Sequence, residues 1–166
     1  MLRRVLVFVG LLSAVSIFAD AASAQCTVAD SPEWRGLRLG MKRKDFLNNF
    51  PGTKPVNMFN RNELSRVHGF SGLEMLAFRI NNSTLILDQI EARYVGLSGG
   101  VDRLKLRVTK ELKLPLDAWR PAGGGKAELR CVTFYVTADP ESNGFTLTHI
   151  EGQKYWDAMR KDLERN

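Results

Sequence analysis

Catalysis needs convergent groups, and few residues in this chain could supply them. There are two histidines, His68 and His149. With Asp88 or Asp139 they have the donor types of a metal site, yet no H-x-x-x-H or C-x-x-C spacing puts two ligands on one turn or loop. His149 shares a strand phase with Phe145 and Leu147, which predicts a histidine at the edge of the core. Ser71 and Ser98 lie near glycines but lack the G-x-S-x-G frame that presents a nucleophilic hydroxyl. Asp88 and Glu91 fall on opposite faces of a regular strand, so they cannot act as a carboxylate pair. Gly123-Gly124-Gly125 lacks the lysine-serine pair and following helix of a phosphate loop. The reading is a non-enzyme with no catalytic residue, no metal and no cofactor.

Binding is easier to support. A sheet covered by helices on one face leaves the other face for a partner, and Arg79, Glu91, Arg93 and Tyr135 are expected to decorate it. Trp119, set between Pro115 and Pro121 and ahead of three glycines, is the candidate interface anchor. The competing reading for Trp119 is a cap on the core.

The elements that position these residues follow from pattern. Gly40 can turn the chain through backbone angles closed to other residues, and a helix follows over Lys42 to Phe50. Met41 and Phe46 have the spacing of a hydrophobic staple, while Lys42 at the N-cap cannot accept from the first-turn amides. Phe46, Leu47 and Phe50 are read as its buried stripe, and Pro51-Gly52 as its end. Thr53 to Glu63 reads as loop, and Leu64 to Phe70 as a short strand. Leu76, Phe78 and Ile80 alternate with Met75, Ala77 and Arg79, and Asn81-Asn82-Ser83 marks a hairpin turn. Ile86, Ile90, Ala92 and Tyr94 share a face on the return strand. Val101, Leu104, Val108 and Leu112 line a helix closed by Pro115. Ala127 to Ala138 reads as one strand with a bulge near Val132-Thr133. Pro140 and Asn143-Gly144 turn it into Phe145 to Ile150. A final helix carries Tyr155, Trp156, Met159 and Leu163 on one side.

Two arginines, an apolar run from Val5 to Phe18 and Ala22-Ser23-Ala24 have the make-up of a secretory signal peptide over residues 1–24. The run is shorter than a spanning helix needs. Cleavage would leave a single exported α+β domain over 25–166, periplasmic or secreted, with no transmembrane anchor. The formal net charge of +6 comes without a glycine-arginine tail or aromatic-basic alternation, which argues against nucleic acid. An anionic envelope surface or an acidic partner suits it better. Two cysteines, Cys26 and Cys131, read as one disulfide in an exported chain. Lipidation of Cys26 is the competing reading, opposed by Gln25, where a lipoprotein cleavage site needs a small residue.

Gly36-Leu37-Arg38-Leu39-Gly40-Met41, with Asp45 and Phe50-Pro51-Gly52, resembles the helical start of exported domains of the β-lactamase-inhibitor-protein-like class. It is similar also to outer-membrane assembly lipoproteins of the SmpA/OmlA type. The likeness covers about Gly36 to Tyr94, and the stretch from Leu104 to Cys131 resembles uncharacterised exported bacterial proteins. It implies helices packed on one face of an antiparallel sheet, and the elements read along the chain run roughly in the order α-βββ-α-ββ-α. The function expected is a non-catalytic protein-binding or adaptor module with an envelope or secreted protein partner. The alternative is a proteinaceous inhibitor of a secreted or periplasmic hydrolase, inserting Trp119 into an enzyme cleft.

Overall fold

The computed structural model describes residues 26–51, 55–56, 61–63, 71–81 and 83–165. Residues 1–24, read from sequence as a signal peptide, and Gln25, His68 and the strand expected over 64–70 lie outside the described residues. In chain order the elements are α1 (Arg43–Asn49), β1 (Pro55–Val56), β2 (Arg61–Glu63), β3 (Leu73–Ile80), β4 (Leu87–Tyr94) and α2 (Gly100–Leu112). A 3-10 turn at Leu116–Ala118 then leads to β5 (Arg120–Pro121), β6 (Ala127–Arg130), β7 (Phe134–Asp139), β8 (Gly144–His149) and α3 (Ile150–Glu164). The strands form one antiparallel sheet in the order β1-β2-β3-β4-β8-β7-β6-β5. The α+β class and the helix-sheet-helix-sheet-helix order match the sequence expectation.

The order reads the same from either edge. Each run of four strands follows a helix, and the two runs meet through their last strands, β4 and β8. Gly36-Leu37 and Gly40-Met41 before α1 have counterparts in Gly96-Leu97 and Gly100-Val101 at α2, and Gly36, Gly40, Gly96 and Gly100 all adopt positive φ.

Side chains alternate across this sheet, so the register separates two faces. Phe78, Ile90, Leu147, Val136 and Leu129 are cross-strand neighbours in one row, and all are buried. Onto that face pack Phe46 of α1, whose ring lies 4.3 Å from that of Phe78, and Leu104, Val108 and Leu112 of α2. The helix α3 lies against the other face, which corrects the expectation that all the helices pack on one side of the sheet. Its buried Trp156 rests on Arg79 and Asp88 and is not part of the main apolar cluster. The reason is local: β8 passes into α3 without a linker, His149 being both the last strand residue and the helix N-cap.

Several elements depart from expectation. β1 and β2 occupy part of the stretch read as loop. Leu47 is not in the buried stripe of α1; it is 39% exposed. The single strand expected over Ala127 to Ala138 is a hairpin of β6 and β7, paired Leu129 to Val136 and Arg130 to Tyr135. Cys131 N donates to Phe134 O at 2.9 Å across the turn. The phase change in the sequence was therefore a reversal of direction. Cys131 in this turn forms the disulfide with Cys26.

A partly buried polar knot secures α2. Glu111 accepts from Trp34 Nε1 and the Tyr94 hydroxyl, each at 2.9 Å, and from Arg107 Nε at 2.9 Å. The Arg107 guanidinium lies 3.9 Å above the Tyr94 ring. Burial and the Glu111 carboxylate push the Tyr94 phenol far above its ordinary value. For Glu111 itself burial raises the pKa, but the bonds from Trp34, Arg107 and Tyr94 outweigh it and leave the carboxyl below its ordinary value. A depressed carboxyl contributes stability that is present above its unfolded pKa and lost as pH falls through its folded pKa. Glu111→Gln is expected to cost about 1–3 kcal/mol at neutral pH. Urea melts of both proteins at stepped pH should show that difference shrinking as pH drops from about 5 toward 3.

Candidate functional site

The face away from the main core carries two polar rows. Arg79, Gln89, Thr148, Tyr135 and Arg130 are neighbours across β3, β4, β8, β7 and β6. Ala77, Glu91, Thr146, Thr137 and Glu128 form the next row. Arg93 stands beyond Glu91 on β4, opposite Gly144. A side chain at Gly144 would collide with the Ala92 carbonyl and press on Arg93 Cγ, so glycine is what lets the strands approach here. Four of the five expected partner-binding residues, Arg79, Glu91, Arg93 and Tyr135, thus share one face.

They are not equivalent. Arg79 is held under α3: its Nε is 2.8 Å from Asp88 Oδ1, its guanidinium lies 5.0 Å from the Trp156 ring, and it donates to Gln153 Oε1 at 3.3 Å. Asp88 is fully buried and also accepts from Trp156 Nε1 at 2.7 Å. Arg79 is a docking residue for the helix and not an open partner contact. Asp88 is the extra residue of a β-bulge, since Ile80 pairs with Leu87 and Arg79 with Gln89. That irregularity turns its carboxylate toward α3. The regular alternation assumed from sequence fails at this residue.

Glu91 and Arg93 pair at 3.1 Å. Farther across the sheet Arg130 is 3.3 Å from Glu128 and lies over the Tyr135 ring at 5.1 Å. Thr137 and Thr146 lie between the two pairs, half-buried. Alongside, α3 and the sheet enclose a cavity of about 320 Å³ lined by Gln89, Glu91, Met159 and Leu163. Leu163 is exposed. The surface is a polar plane with an apolar lip.

Trp119, the expected anchor, is elsewhere. It is 9% exposed, belongs to the main apolar cluster and donates from Nε1 to Thr109 Oγ1 at 2.8 Å. Proline and glycine neighbours suggested a loop-borne aromatic, but the 3-10 turn before it folds the indole against α2, where its N–H finds a partner. This corrects the reading of Trp119 as an exposed contact.

The chemical candidates remain dispersed. His149 Nδ1 accepts from Gly152 N at 3.5 Å as the cap of α3, a role that its strand phase did not suggest. Asp139 pairs with Lys126 at 2.9 Å; burial raises its pKa, but that bond and the Glu141 amide more than offset it. Among the described residues no cluster of His, Cys, Asp and Glu has the arrangement of a metal site, and no helix is long and apolar enough to cross a membrane. No family model, curated protein sequence or solved structure matches this chain.

Proposed function

We propose that this chain is an exported, non-catalytic protein-binding module of the cell envelope, an adaptor that receives its partner on the polar sheet face beside α3. The observation that carries the reading is that face itself. Thr137, Thr146, Tyr135 and the Glu91–Arg93 and Glu128–Arg130 pairs form a plane on a stiff five-strand platform, edged by Met159 and Leu163. A polar rim with adjacent apolar area is the make-up of a non-obligate protein interface. Export is supported by the leader pattern and by the disulfide, which belongs to oxidising compartments.

The inhibitor reading rested on a loop-borne aromatic, and the burial of Trp119 leaves it without that feature. Reversing one exposed pair, Glu128→Arg with Arg130→Glu, keeps the net charge and should weaken a partner that reads the charges in place. A partner held equally well by this variant and by Thr137→Arg would refute the assigned surface. Assaying the captured partner for lost hydrolase activity separates adaptor from inhibitor.

A further inference from the structure

Away from the sheet face, the start of α1 meets the β3–β4 turn in a shallow groove of about 610 Å³. Its floor is Leu47, Leu85 and Ile86, and Lys42, Arg43 and Lys44 stand along its margin. Leu47 and Leu85 are 39% and 49% exposed. Lys42, Arg43 and Lys44 are exposed and make no ion pair among the described residues.

Leu85 sits at φ 54, the left-handed region that a leucine rarely adopts because its Cβ crowds the backbone there. Backbone bonds hold it there. Leu85 N donates to Asn81 O, Arg43 N donates to Leu85 O and Leu87 N donates to Met41 O, each at 2.8 Å. An asparagine or glycine would fit this backbone without strain. A half-exposed leucine instead presents apolar surface at this tip, and strain of this kind persists where the surroundings over-determine the geometry.

We propose that this patch docks the protein on an anionic lipid bilayer, with Leu47 and Leu85 inserted at the headgroup boundary and Lys42, Arg43 and Lys44 set against the phosphates. Charge complementarity selects this occupant. Three consecutive cations, none paired with an acidic group among the described residues, match a surface of closely spaced anionic headgroups. The apolar groups are the protein's own and exposed, as shallow insertion needs; a peptide anchor would need a deep pocket for the partner's side chain. The patch is separate from the proposed adaptor face and stands without it.

Sedimentation with phosphatidylglycerol vesicles and with phosphatidylcholine vesicles tests the proposal, all preparations having the same N-terminus by intact mass so that any leader contributes equally. The protein should bind phosphatidylglycerol, less so as salt rises. Lys42→Gln, Arg43→Gln and Lys44→Gln together should weaken partitioning roughly tenfold or more. Leu85→Asn should weaken it about threefold or more while raising the melting temperature, because the strain is relieved as the apolar tip is lost. Equal binding to both lipids, or unchanged binding by the triple variant, would overturn the proposal. So would failure to bind phosphatidylglycerol combined with charge-dependent binding of an acidic leucine-containing peptide, which would assign the groove to a protein ligand.

Discussion

Asp88→Ala is expected to lower stability by about 3–5 kcal/mol and to release α3 from the sheet. Asp88 is fully buried, and its carboxylate takes the Arg79 guanidinium on one oxygen at 2.8 Å and the Trp156 indole N–H on the other at 2.7 Å. Removing it leaves a cation that is 14% exposed at its side chain without a counter-charge, and an indole donor without an acceptor. The penalty arises mostly from those two orphaned groups and only in part from the lost attraction. Adding Arg79→Met should therefore recover a substantial part of the loss, because the unpaired charge goes with it. Leu163→Ala, at an exposed position of the same helix, should stay within about 0.5 kcal/mol. Urea unfolding gives the energies, and amide exchange reports whether α3 opens before the sheet. A loss below about 1 kcal/mol for Asp88→Ala, with α3 still protected, would mean that the helix is held by something other than this cluster.

The second large effect concerns the Cys26–Cys131 bond, whose cysteines are 105 positions apart. Closing a loop of that size limits the unfolded chain and stabilises by about 4–5 kcal/mol in the chain-entropy treatment. Replacing both cysteines with alanine should lower the melting temperature by roughly 10–20 °C for a domain of this size. The bond also fixes the N-terminal strap to the β6–β7 turn, where Thr133 Oγ1 donates to Ala29 O at 2.5 Å and Val132 N to Val28 O at 3.4 Å. Reductant should reproduce the shift in the natural protein and leave the double variant unchanged. A double variant as stable as the natural protein would show that the strap is anchored without the bond.

Sequence pattern revealed the elements whose local chemistry and burial agree. Gly40 has the positive φ expected at its corner, Lys42 caps α1 without a side-chain bond, and the Leu104, Val108 and Leu112 period is the buried side of α2. It misled where tertiary structure decides. Val132-Thr133 contains none of the usual turn residues, so two short strands read as one. The bulge at Asp88 breaks the period-two rule at the residue that docks α3. Trp119 lies among loop residues in sequence yet is drawn into the core by Thr109. Of the residues on the polar sheet face, Glu91, Arg93 and Tyr135 could be placed there from their alternation with core residues; Thr137, Thr146, Glu128 and Arg130 needed the β6–β7 hairpin, which aligns them with β4 and β8. The matching Gly36-Leu37 and Gly96-Leu97 starts were a signal of the mirrored strand order, but two short motifs gain meaning only when the topology relates them.

Site-specific photo-crosslinking in the producing cells tests the central claim most directly, with the reactive residue placed at Thr137 or Tyr135 on the open sheet face and, as a control, at exposed Leu106 on α2. A binding module that uses this face should give one discrete protein adduct from Thr137 and Tyr135 and none from Leu106, with the adduct weakened by the Glu128–Arg130 reversal. The same adduct from Leu106, or no adduct from either sheet position in folded, oxidised protein, would contradict it.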